Sequence, residues 1–254
     1  MYTVYRQYDP NKTELIAKPF RLGTNEPDIL KYLHSKPSPS PHIISLIETT
    51  PTITGRAWLI LPKMHTLRNS FIDSCGVCGR EQLSWGLIKG LAYLHEHNVA
   101  HRDIKLSNLV CDDDLRLKII DFDFAMEVKD ENTEIAERCG RIKYWTAPEV
   151  GKRDEPPPPM YSPIKADRWS CGHVFLRHIM VGVVGKGDHR LWTFASQLTA
   201  KDPLQRPTLL DWHKLHPQPV SKMTIVSDDR RQQDVGERVR PPNAKKPRLE
   251  QDDL

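Results

Sequence analysis

The sequence predicts an α+β chain in two unequal parts, a small, mostly β region followed by a larger, mostly helical one. Roughly the first seventy residues alternate apolar and polar positions in short stretches, as half-buried strands do. From about Arg80 the apolar spacing changes to three and four residues, the period of an amphipathic helix. The content of 38% hydrophobic and 28% charged residues in 254 suffices for at least one full-sized core.

In chain order, "TELIAKPF" (13–20), "HIISLIE" (42–48) and "RAWLILPKM" (56–64) read as strands, with a short helix over "EPDILKYLHS" between the first two. Pro27 fits only the first turn of that helix, which places its start at Asn25. Next, "REQLSWGLIKGLAYLHEHN" sets Leu83, Leu87, Leu91 and Leu94 on one face of a helix ending near Asn98. The stretch "HRDIKLSNLVCDDDLRLKIIDFDF" (101–124) contains apolar runs that read as a short hairpin. "IKADRWSCGHVFLRHIMVGVV" is apolar on most sides, as a buried helix is, and "LWTFASQLTAKDPLQRPTLLDW" reads as two short helices broken at Pro203. The prolines of "RDEPPPPMYSP" favour an extended surface loop, and residues 217–254 read as a disordered polar and basic tail. There is no internal repeat.

Composition excludes several function classes. No run of eighteen apolar residues appears and the N-terminus lacks an apolar signal core, so neither a membrane partner nor secretion is expected. Five scattered cysteines fit reduced thiols in the cytoplasm or nucleus. Cys75 and Cys78 form one "CGVC" pair, but no second pair at ligand spacing follows to complete a zinc site. A net charge of +4 does not by itself imply nucleic acid. The tail segment "RVRPPNAKKPRL" has basic residues and no acidic one, a pattern shared by nuclear import signals and plain solvated tails.

"HRDIKLSN" is followed by "DF" eighteen residues after its Asp, then by "APE" at 147–149, "DRWSCG" at 167–172 and "DPLQRP" at 202–207. In this order the motifs resemble the eukaryotic protein kinase catalytic domain, over about residues 4–215. The resemblance implies a two-lobed fold: a small N-lobe of about 1–62, a helical C-lobe of about 65–216, and ATP in the cleft between them.

Moving a γ-phosphoryl group requires divalent metal to offset phosphate charge, and a carboxylate to orient an attacking hydroxyl and accept its proton. By the resemblance, Asp103 is the base, Lys105 offsets charge near the transferring phosphate, and Asn108 and Asp121 hold Mg²⁺ or Mn²⁺. Lys18 stands at the strand lysine that contacts the α- and β-phosphates, and Glu26 at its helical ion-pair partner. Leu61 to Met64 stand at the hinge, where backbone groups of Pro62 and Met64 would meet adenine. Asp167 and Trp169 match the helix that supports the catalytic loop, and Glu149 and Arg206 match a buried ion pair. Lys105 resembles the serine/threonine branch, although Arg141 replaces the Thr that usually follows the preceding Gly. The expected partners are ATP and a protein substrate, with the chain a monomer.

The departures leave a second reading, a pseudokinase or nucleotide-binding scaffold without turnover. No GxGxxG precedes Lys18, and "VGKGDHR" stands where a substrate-docking helix usually lies. In "DFD" (121–123), Asp123 replaces a glycine that would allow positive φ, so it is expected to stiffen the segment, and its carboxylate either helps hold a metal or adds repulsion against ATP; the resemblance implies a side chain that points away from the phosphates. The resemblance implies that Arg102, beside the base, receives a phosphate from the following segment, with Thr133 the best-placed acceptor, or else the standing charge of Glu131, Glu134 or Glu137.

Overall fold

The structure is a computed structural model that describes residues 1–5, 9–10, 12–20, 23–51, 57–137, 146–151, 160–182 and 189–215. All of these belong to one unit, residues 1–218. Arg141, the proline run of 153–159, most of "VGKGDHR" and the tail lie outside the described residues.

The small lobe is a four-stranded antiparallel sheet of order β1-β2-β4-β3, built from β1 (Tyr2–Val4), β2 (Leu15–Phe20), β3 (Glu48–Pro51) and β4 (Ala57–Pro62). Alternation along the strands divides the sheet into two faces. Leu15, Ala17 and Ile60 pack with Val4, Ile47 and Trp58 in a small cluster, whereas Leu59 and Leu61 join the main core. Lys18 is in register with Leu59, which puts its side chain on the core-facing side. There it meets α1 (Glu26–His34), whose Ile29, Leu30 and Leu33 are buried and whose N-cap is Asn25.

The strand expected over "HIISLIE" is displaced. Ile43 and Ile44 are buried, but they run beside the large lobe, where Ile43 bridges to Ile119 and the Ile44 N–H donates to the Ile119 carbonyl. The strand proper begins only at Glu48. The segment is therefore apolar because it seals the junction between the lobes.

The large lobe begins with β5 (His65–Thr66), α2 (Asn69–Ser74) and α3 (Gly76–Glu96). Helix α3 starts four residues before the expected Arg80, and α2 had no sequence signal. A Cβ at Gly86 would lie 2.8 Å from Leu117 Cβ, so the glycine lets α3 pack directly on the hairpin. Strand β6 (Val99–Ala100) leads to the catalytic loop, then to the expected hairpin of β7 (Leu109–Cys111) and β8 (Leu117–Ile119), and on to β9 (Met126–Glu127), which pairs with β6.

The buried helix α4 (Pro163–Val174) is capped by Ser162 Oγ, which accepts from the Lys165 N–H at 3.2 Å, and it runs into a π-helical turn over Phe175–Ile179. Helices α5 (His189–Leu198) and α6 (Leu209–Leu215) follow, with a 3₁₀ turn at Pro203–Gln205 between them. Phe194 stacks on Trp212 at 4.0 Å, and Trp212 in turn packs on Trp85, so three helices close around one aromatic cluster. At 0% exposure, Phe122, Phe175 and Leu87 mark the centre of the main core.

Candidate active site

The catalytic loop is an irregular segment held on buried charge. Asp167 of α4, only 1% exposed, accepts from the His101 N–H at 2.6 Å and the Arg102 N–H at 2.8 Å. These two charge-assisted bonds hold the turn in which Arg102 takes φ 67°, a left-handed conformation uncommon for a non-glycine residue. His101 is buried, with its ring edge-on to Phe122 at 4.8 Å, and Nε2 lies 3.0 Å from the Ile120 carbonyl. Burial holds its pKa below the ordinary value despite nearby Asp167 and Asp103, so the ring is neutral.

The next turn gathers the expected catalytic groups. Lys105 Nζ donates to Asp103 Oδ2 at 2.5 Å, and Asn108 Nδ2 donates to the same oxygen and to the Asp103 carbonyl, each at 2.9 Å. Two donors on Oδ2 fix the carboxylate plane and leave Oδ1 as its unclaimed oxygen among the described residues.

The second cluster joins the lobes. Lys18 Nζ lies 2.7 Å from Glu26, 2.6 Å from Asp121 and 3.2 Å from Asp123, while the Phe122 N–H donates to Glu26 Oε1 at 3.0 Å. Burial disfavours the Lys18 ammonium, but the Glu26 and Asp121 carboxylates outweigh it and its pKa is raised. Burial also pushes Glu26 well above the ordinary carboxylate range; in Asp123 the hydrogen bond from Glu26 and the Lys18 charge overcome burial and keep its pKa low.

The expectation that Asp123 points away from the phosphate side is overturned, because its carboxylate faces Lys18. The positive φ of the triplet falls on Asp121, at 68°, and not on Asp123. This turn swings both acidic side chains to one side. Oxygen donors from Glu26, Asp121 and Asp123 lie within 4.8 Å of one another, a hard, anionic set suited to Mg²⁺ or Mn²⁺. Leu61 and Pro62 end β4, the strand paired with the one that carries Lys18, and Met64 packs against the main core. Pro62 offers the cleft only a carbonyl, having no N–H.

The segment after β9 is tied down by ion pairs and backbone contacts. Arg102 Nη2 reaches the Glu137 carbonyl at 3.3 Å and its carboxylate at 3.4 Å, and Tyr161 OH donates to the same carbonyl at 2.8 Å. Arg168 pairs with Glu131, and Ile135 forms a two-way backbone bridge with Tyr161. Glu137 and Glu131 thus act as partners, whereas Thr133 caps a local turn through Asp130. Below, Arg206 grips Glu149 through two bonds of 2.5 and 2.8 Å, with the guanidinium fully buried.

Sequence reasoning missed His101 and the direction of Asp123. A His preceding Arg-Asp was visible, but its burial beneath Phe122 was not. Among known proteins, the family model described as the protein kinase domain matches residues 21–200. The chain is 34% identical over 152 residues to the serine/threonine-protein kinase CST20 of Candida albicans, covering 57% of this chain and 11% of that protein. It is 36% identical over 104 residues to the serine/threonine-protein kinase ppk8 of Schizosaccharomyces pombe (40% and 19%). It is 37% identical over 120 residues to the serine/threonine-protein kinase PLK4 of Drosophila persimilis (47% and 14%). The matches therefore span less than a fifth of the length of each of these relatives.

Proposed function

Because the chain belongs to the protein kinase domain family, we propose that it transfers the γ-phosphoryl group of ATP to serine or threonine hydroxyls of protein substrates. The observation that carries this reading is the double hold on Asp103 Oδ2 by Lys105 and Asn108, which leaves Oδ1 for a substrate hydroxyl. The hydroxyl donates to Oδ1 while its oxygen attacks the γ-phosphorus; the bond to the β-phosphate oxygen breaks and ADP leaves. Lys105, beside the base, offsets charge on the moving group, and Lys18 orients the α- and β-phosphates. A divalent cation, when bound, neutralises phosphate charge, and Asp121 with Asn108 would hold it.

The test is radiolabelled phosphoryl transfer to serine, threonine and tyrosine peptides with Mg²⁺ or Mn²⁺. Label on serine or threonine peptides is expected. Absence of label with both metals would sink the reading. The close grip on Lys18 by three carboxylates favours a second reading: nucleotide binding without turnover. ATP affinity measured beside turnover separates the two.

Asp123→Gly removes one oxygen donor from beside Asp121 and one counter-charge from Lys18. Metal-dependent ATP affinity is expected to fall about tenfold, roughly 1.4 kcal/mol. Titrating ATP at several Mg²⁺ concentrations against both proteins reads this out, and unchanged or tighter binding would return the position to a hinge role. The contacts of Glu137 and Glu131 give a further expectation, that phosphatase treatment or Thr133→Val leaves turnover within about twofold of the parent. Activity lost on dephosphorylation and regained by phosphate on Thr133 would reverse that assignment.

A further inference from the structure

Beside the catalytic loop, between α2 and the end of α4, lies a cavity of about 300 Å³ that the mechanism above does not use. Its floor is apolar, made by Leu67, Leu106 and Val174, and none of its lining residues is acidic. Two permanent cations line it, Arg68 and Lys105. Lys105 is the residue bound to Asp103, so whatever fills the cavity sits beside the base. Arg68 is exposed, and its guanidinium makes no ion pair or hydrogen bond among the described residues.

The remaining polar wall adds no negative charge. His173 stacks on Trp169 at 5.0 Å, and its buried Nδ1 lacks a hydrogen-bond partner among the described residues. Burial holds the His173 ring neutral, with the charge of Arg177 acting in the same sense. His178 is anchored by Asn69 at 3.1 Å. A concave wall with two cations and no acidic lining residue attracts anions, and an exposed guanidinium is suited to grip a carboxylate through two parallel bonds. An extended peptide advances about 3.3 Å per residue, so a side chain in this cavity belongs to a residue near the acceptor hydroxyl.

Resting on the protein kinase reading, we propose that this cavity receives a glutamate or aspartate side chain of the protein substrate, so that the chain selects hydroxyls in acidic sequence contexts. The test begins without nucleotide: fluorescence polarisation on the full chain with a labelled peptide carrying one serine flanked by glutamates, against the same peptide flanked by lysines. The glutamate peptide is expected to bind at least about tenfold more tightly. Arg68→Glu should erase that preference and improve binding of the lysine peptide, an outcome a misfolded variant does not give. Lys31→Glu, an exposed charge reversal on α1, should leave it intact.

Equal binding of the two peptides, or a preference untouched by Arg68→Glu, would overturn the proposal. So would a phosphoserine-flanked peptide binding about tenfold better than the glutamate one, which would make the site a phosphate reader. Turnover is then measured with ATP on the same peptides. A binding preference with no label on either peptide sinks the kinase reading and leaves the cavity's assignment standing. Equal labelling of both peptides with no binding preference does the reverse.

Discussion

Asp103→Asn is expected to lower turnover by about 10² or more while ATP affinity changes little. The amide is nearly isosteric, so the bonds from Lys105 and Asn108 to this side chain can be kept in part, and neither Lys18 nor Asp121 is disturbed. What disappears is the basic oxygen proposed to take the hydroxyl proton. The loop should hold its shape, because the His101 and Arg102 amides are fixed by Asp167 and not by Asp103. Single-turnover phosphoryl transfer beside ATP titration checks this. Equal rates in the two proteins would remove Asp103 from the chemistry.

Glu149→Ala is expected to destabilise the fold by about 3–5 kcal/mol, since it strands a fully buried guanidinium. Arg206 retains bonds to the Lys165 and Ala200 carbonyls at 2.8 and 2.9 Å, and these orient the charge without neutralising it. A fall in melting temperature of about 10 °C or more should accompany the loss. Removing both partners, as Glu149→Leu with Arg206→Met, should recover much of the stability, because no unpaired charge is then buried. Urea or thermal unfolding of the three proteins decides the matter. A single variant that melts with the parent would show that water already reaches the guanidinium.

The residues of the catalytic loop were legible because their chemistry is local: Asp103, Lys105 and Asn108 fall within one turn, and their spacing alone brings them together. The pairing of Lys18 with Glu26 was legible only through the resemblance, since strand and helix meet across a segment whose path the sequence does not show. Ile43 and Ile44 carry the same alternation as a sheet strand. What makes them a junction is the edge of β8 offered to them, which belongs to a distant stretch. Asp123 was misjudged because its direction depends on the left-handed backbone at Asp121, a conformation that acidic residues adopt only occasionally. Which glutamate would satisfy Arg102 was undecidable in sequence, as three lie within a few residues and only chain path selects Glu137. The cationic cavity draws on three separated segments and had no linear signature at all.

The grip of Asp167 on the loop amides bears on how this protein breathes. Those two N–H groups point inward to the buried carboxylate of Asp167, so water reaches them only when α4 itself parts from the loop. Hydrogen exchange at His101 and Arg102 should then be governed by opening of the whole large lobe, at rates matching core amides such as those of Leu87 and Leu91. The catalytic loop carries no regular secondary structure there, yet its lifetime in the closed form is set by the slowest fluctuation of the molecule.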